Sequence, residues 1–225
     1  MNIAENIALI EKNLAAHGTR LIVVSKTRSI EELKACYAAG QRDFGENRVQ
    51  ELMEKKDLLP SDIQWHLIGH LQRNKVKYLA PFVHLIHSVD SLRLLEEINA
   101  QGQKLGRVID CLLQMHIAQE ESKFGLDEQE LRALLLNPAL AQMQHIRIKG
   151  LMGMASFTEN QTQITREFQG LKALFDEVRA APEYQLPQTL WTELSMGMSS
   201  DYLLAAGLGS TMVRVGSAIF GPRIR

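Results

Sequence analysis

Residues 21 to 25 read LIVVS, a continuous apolar run that Lys26 follows at once. Seven further runs of this kind recur along the chain: RDFG (42 to 45), QWHLIG (64 to 69), VHLIHS (83 to 88), VIDCLLQM (108 to 115), IKGLMGM (148 to 154), TLWTELS (189 to 195) and MVRVG (212 to 216). Longer segments of helical periodicity separate them, and this alternation predicts βα units around a parallel sheet. Eight such units in 225 residues predict a closed (β/α)8 barrel of the TIM type rather than an open sheet with a second domain.

The intervening segments carry their own signals. Leu171, Leu174, Phe175 and Val178 fall at the i, i+3, i+4, i+7 spacing that gathers apolar side chains on one helix face. Ser29 with Glu32, and Asp127 with Glu130, have the spacing of a capping box. Ile3, Ile7, Ile10 and Leu14 predict an additional N-terminal helix packed on the core, and the charges at Glu5 and Glu11 argue against a secretory leader. No linker or repeat interrupts the pattern, so residues 1–225 read as a single domain.

The composition sets limits on function. Twenty-five Lys and Arg against 26 Asp and Glu give a net charge of -1, so no global field draws the chain to nucleic acid or anionic lipid. Cys36 and Cys111 are far apart, without the spacing of a zinc site or a disulfide framework, and read as reduced thiols. No apolar run reaches the ~20 residues a membrane span needs, and the cytoplasm is the expected location.

In such a barrel the βα loops and helix N-termini converge at the C-terminal ends of the strands, where ligands bind. Lys26 stands at the end of the first run, where partial desolvation favours a neutral amine able to condense with an aldehyde. The competing reading is a strand-end lysine that reaches into solvent. SMGMSSD (195 to 201) and RVGS (214 to 217) each combine glycine, serine and a following helix start after the last two strands, as a phosphate cradle requires. Glycine and serine are also ordinary turn residues, so each loop alone could hold nothing. Arg214 is either a ligand-facing donor or a barrel-lining arginine paired with a carboxylate such as Glu193.

The blocks VSKTR (24 to 28), FGENRVQE (44 to 51), WHLIGHLQRNKVKYL (65 to 79), GLMGM (150 to 154), LSMGMSSD (194 to 201) and GSTMVRVGSAIFGPR (209 to 223) together resemble the pyridoxal-phosphate homeostasis protein family. That family is similar to the N-terminal barrel of alanine racemase, of fold-type III. The blocks span nearly the whole chain, and only residues 101 to 144 match without distinction. The resemblance implies that Lys26 carries pyridoxal 5′-phosphate as a Schiff base and that Arg214 faces the pyridine nitrogen. Ser199 and the amides of Gly216 and Ser217 would hold the phosphate, with Asn47 and His66 near the ring. Because arginine only donates, the ring nitrogen would stay unprotonated and make a poorer electron sink.

The resemblance further implies a cofactor-binding protein of vitamin B6 and amino-acid homeostasis without robust catalysis, with pyridoxal-phosphate-dependent apoenzymes as candidate recipients. A slow pyridoxal-phosphate-dependent amino-acid racemase is the alternative. Alanine racemases take a second acid/base from an added domain, and this chain ends at Arg225 soon after its last strand. No catalytic residue is assigned. His66 and His70 imitate a zinc motif without its glutamate, while His84 and His87 should point to opposite faces of a strand, so no metal site is expected. Arg73, Lys75 and Lys77 read as a solvated helix face rather than an RNA site. A monomer is expected, since nothing obliges a shared site.

Overall fold

Each apolar run becomes a strand: β1 (Arg20–Val24), β2 (Asp43–Glu46), β3 (Gln64–Leu67), β4 (Leu85–Val89), β5 (Ile109–Met115), β6 (Ile146–Gly153), β7 (Thr189–Ser195) and β8 (Met212–Val215). All neighbouring pairs are parallel and follow chain order. β8 returns to β1 with Arg20 opposite Met212 and Ile22 opposite Arg214, which closes the sheet into a TIM-type (β/α)8 barrel. This computed structural model describes residues 2–120 and 124–221.

Helices fill the intervals: α1 (Ile3–Ala15), α2 (Ile30–Ala38), α3 (Val49–Lys56), α4 (Val76–Leu79), α5 (Leu92–Leu105), α6 (Glu128–Leu135), α7 (Pro138–Ala141), α8 (Gln161–Ala180), α9 (Tyr202–Gly207) and α10 (Ser217–Phe220). Their starts follow local chemistry. The Ser29 hydroxyl accepts from the Glu32 amide at 3.2 Å while the Glu32 carboxylate accepts from the Ser29 amide at 2.8 Å, and Asp127 with Glu130 repeats the exchange. The additional helix α1 buries Ile7, Ile10 and Leu14, and its Asn6 side chain donates to the Ile219 carbonyl at 2.8 Å, tying the first helix to the last.

Strand periodicity divides the core in two. Side chains that face outward, such as Val23, Phe44, Leu67, Ile86, Leu113, Leu151 and Val213, pack under the helices, where α8 buries Leu171, Leu174, Phe175 and Val178. Alternate positions face the barrel axis, where Ile22, Leu85, Leu112, Met152 and Met212 form a separate apolar plug. That plug closes the interior below the C-terminal ends of the strands and leaves the space above it for a ligand. Cys36 and Cys111 are buried free thiols, and burial pushes the Cys36 thiol up to about 12. Among the described residues no helix is long and apolar enough to cross a membrane.

Candidate functional site

The positions that continue the inward alternation past the strand ends surround a cavity of about 820 Å3. Val24 and Lys26 reach it from β1, Asn47 from the end of β2, Ile68 and His70 from the end of β3, and Arg214, Gly216 and Ser217 from β8. A small-molecule site commonly measures about 300–1,000 Å3.

The turn that carries Lys26 is fixed on both flanks. Before it, the Ser25 hydroxyl donates to Glu46 at 2.6 Å, and the Lys55 ammonium donates to the Ser25 carbonyl at 2.7 Å and to Glu46 at 2.8 Å. After it, Thr27 takes a left-handed φ of 62°, a conformation unfavourable for a β-branched residue, and its amide donates to Glu51, which also pairs with Lys55 at 2.6 Å. Glu46 is fully buried, and burial raises its carboxyl pKa against the opposing hydrogen bonds from Lys55 and Ser25. This network lies behind the lysine and leaves the ammonium-bearing stem on the cavity side.

The opposite wall is built from the loops after β7 and β8. Gly197 turns the first of these at φ 96°, and a Cβ there would lie 2.5 Å from Ala205 Cβ, so only glycine fits. The loop then delivers the Ser199 hydroxyl to the backbone amides of Gly216 at 3.1 Å and Ala218 at 3.4 Å. Two amides converging on one oxygen is the arrangement that receives a phosphate oxygen, so these residues fit an anionic group.

Arg214 sits between the two walls, 4% exposed. It donates to the Ser195 hydroxyl and, at 2.9 Å, to the Gly153 carbonyl. Burial lowers its pKa to about 10, with the charge of Asp201 opposing, so it stays cationic at neutral pH. Glu193 is not its partner: that carboxylate pairs with Arg20 at 2.8 Å, which removes the reading of Arg214 as one half of a lining ion pair with Glu193.

Six of the seven residues singled out in the sequence, namely Lys26, Asn47, Ser199, Arg214, Gly216 and Ser217, line this one cavity. His66 is not among its lining residues; it is fully buried in the barrel interior, between Asp43 at 2.8 Å and His87 at 2.9 Å. The Asn47 backbone is held where it is by Gly69, at which a Cβ would lie 2.3 Å from the Asn47 carbonyl oxygen. Sequence reading passed over several lining residues, among them Gln114, Phe124, Met154 and Phe157. Gln114 had a signal, being a polar residue that follows the apolar stretch Cys111 to Leu113 near the end of β5; the side chain donates to the Phe124 carbonyl at 2.8 Å.

The histidines assemble otherwise than their spacing suggests. His84 and His87, expected on opposite faces of a strand, both pack against His66, each ring 5.2 Å from it. Asp43, His66 and His84 offer ligand atoms within 4.8 Å of one another at the opposite end of the barrel. This trio joins three different strand regions, which no local pattern reveals.

Comparison with known proteins follows the same lines. Residues 1–223 match the family model described as alanine racemase, N-terminal domain. The pyridoxal phosphate homeostasis protein of Aquifex aeolicus is 37% identical over 205 residues, covering 91% of this chain and 87% of that protein. The Bos taurus protein of the same name is 38% identical over 234 residues, covering 98% and 83%. The chain belongs to the pyridoxal phosphate homeostasis protein family.

PipY of Synechococcus elongatus has been solved without and with PLP bound. The two structures align with TM-scores of 0.89 and 0.86 at 40% identity, covering 97% of this chain and all of PipY. Alanine racemase from Bartonella henselae shares the fold at a TM-score of 0.71 and 20% identity, covering 98% of this chain and 58% of the racemase. The homeostasis protein family is thus built on the racemase-type barrel.

Proposed function

We propose that the cavity binds pyridoxal 5′-phosphate, joined to Lys26 Nζ as a Schiff base, and that the protein takes part in intracellular vitamin B6 and amino-acid homeostasis without robust catalysis of its own. The observation that carries this reading is the meeting of Lys26, Arg214 and the Ser199, Gly216 and Ser217 corner around one cavity. When bound, the cofactor supplies an aldehyde for the amine, a phosphate for the amides and a ring nitrogen for a donor. The amine stands at the end of β1, and the amides and the donor stand on and just after β8. The PLP-free and PLP-bound structures of PipY, 40% identical to this chain, support a cofactor site of this kind that a folded protein can hold filled or empty.

Arg214 favours holding over turnover. Its guanidinium can only donate, so a ring nitrogen facing it keeps its lone pair and the ring withdraws electrons weakly. On this reading residues 1–225 act as one cytoplasmic barrel, a monomer, that exchanges cofactor with pyridoxal-phosphate-dependent apoenzymes. A visible absorption band on addition of pyridoxal 5′-phosphate, fixed by borohydride onto the peptide bearing Lys26 and lost in Lys26→Ala, is the expected result. Exchange of the Cα hydrogen of added amino acids in deuterated water at ordinary enzyme rates, ~1–1,000 per second, would overturn the non-catalytic part. A colourless protein after incubation would overturn the rest.

A further inference from the structure

Five side chains from five strands form one line of hydrogen bonds through the barrel interior. Asp43 on β2 contacts His66 Nε2 at 2.8 Å, His66 Nδ1 contacts His87 Nε2 at 2.9 Å, and His87 Nδ1 contacts Ser195 Oγ at 3.0 Å, which in turn accepts from Arg214. His66, His87 and Ser195 are fully buried, whereas the Asp43 side chain is 16% exposed at the N-terminal end of the barrel. The line therefore runs from solvent beneath the barrel to the cavity above the apolar plug.

Its two ends admit only one direction. Arginine donates and never accepts, so the Ser195 oxygen is an acceptor at that contact. An ionised carboxylate accepts and never donates, so His66 must present Nε2–H to Asp43. Burial holds both imidazoles neutral, with the Asp43 bond opposing at His66. A neutral His66 with its proton on Nε2 has a lone pair on Nδ1, which takes Nε2–H from His87. His87 then has its own lone pair on Nδ1, which takes the Ser195 proton. Both rings are Nε2–H tautomers, and every polar atom of the line is satisfied. In the opposite direction Ser195 would accept from both His87 and Arg214, leaving its own proton without an acceptor in a dry interior.

We propose that Asp43 is a positioning residue for the cavity: it sets the direction of this chain of hydrogen bonds and thereby holds the Arg214 guanidinium in place from the far end of the barrel. Two of the five guanidinium N–H groups are pinned, one by Ser195 and one by the Gly153 carbonyl, and the others remain for the cavity that Arg214 lines. Burial opposes ionisation of this carboxylate, but the hydrogen bond from His66 and the nearby charge of Arg20 hold its pKa below the usual value. The bearing of this device on cofactor retention rests on the reading of the cavity given above.

The test uses the full-length protein with 15N-labelled histidine and arginine, with and without pyridoxal 5′-phosphate. In the wild type both His66 and His87 are expected as Nε2–H tautomers, and the pinned Arg214 should give separately resolved Nη signals. Asp43→Leu removes the acceptor; His66 and, two links away, His87 should lose the pure Nε2–H state, and the Arg214 Nη signals should merge. Asp43→Asn keeps an oxygen that can accept and should restore all three signatures. Ser195→Ala cuts the line, so it should loosen Arg214 while His66 keeps Nε2–H. A wild-type His66 with its proton on Nδ1, or a folded Asp43→Leu with His87 and Arg214 unchanged, overturns the proposal. Cofactor affinity should fall about tenfold in Asp43→Leu and little in Asp43→Asn. If no form binds pyridoxal 5′-phosphate, the reading of the cavity fails, and the tautomer signals still decide this one.

Discussion

The Ser199 hydroxyl, in the loop after β7, accepts the backbone N–H of Gly216, at the head of α10, at 3.1 Å. One side chain thus joins the two loops, and on the proposed reading a phosphate held by these amides would lie within reach of its hydroxyl. Ser199→Ala should weaken binding of pyridoxal 5′-phosphate about tenfold, the effect of one lost hydrogen bond to a charged group. Pyridoxal, which lacks the phosphate, should bind both proteins alike. Paired titrations of the two ligands followed by absorbance check this; equal losses for both would remove Ser199 from the phosphate corner.

The meeting of these two loops was legible in the sequence because glycine, serine and a helix start fall together after the last two strands. The barrel was legible because eight apolar runs alternate with helical periods, and their predicted edges lie within a few residues of the observed ones. Height along the barrel axis was not. Period-two alternation says which face a side chain takes, and His66, Ile68 and His70 share the inward one. It does not say which layer of the interior each enters, so His66 falls below the cavity while Ile68 and His70 line it. The Glu46, Lys55, Ser25 network and the Asp43 to Arg214 line join residues far apart in sequence, and only the closed sheet brings them together.

Gly69 makes a separate prediction about Asn47. A methyl group at position 69 would sit 2.3 Å from the Asn47 carbonyl oxygen, a backbone atom with no rotamer by which to move away. Gly69→Ala should cost about 1–3 kcal/mol of stability by overpacking. It should also displace Asn47 from the cavity wall, so cofactor affinity falls with the urea midpoint. Loss of stability without loss of affinity would show that Asn47 has no part in binding.

Acid should unfold this protein early. Burial holds His66 and His87 below the ordinary imidazole value of 6.5 and brings His84 to about 4. The unfolded chain takes up protons below pH 6.5 that the folded interior refuses, so stability is fully present above that value and falls as the pH drops. Each excluded proton contributes a slope of up to about 1.4 kcal/mol per pH unit. Glu46 acts with the opposite sign: its raised pKa gives stability below the usual 4.5 that is lost as the pH rises through the folded value. Urea midpoints should therefore decline from pH 7.5 to 5.5. His87→Asn, which keeps polar contacts without a titrating ring, should flatten that decline, and an unaltered slope would exclude His87 as a source.

Lys55 gives the sharpest separation between stability and site geometry. Its ammonium is the shared partner of Glu46, Glu51 and the Ser25 carbonyl, all within 2.8 Å, and both Lys55 and Glu46 are buried. Lys55→Met leaves the Glu46 carboxylate in a dry site without its cation, and should destabilise the fold by about 3–5 kcal/mol. Glu46→Leu in the same chain removes that stranded charge and should recover much of the loss, because an apolar pair of similar volume tolerates burial. The double variant still lacks the clamp on Ser25 and the anchor for Glu51, which positions the Thr27 amide. It should therefore fold with near-normal stability yet react with pyridoxal 5′-phosphate more slowly at Lys26, as measured by the rate at which the visible band appears. A double variant that recovers stability and reacts at the wild-type rate would show that the network serves the fold alone.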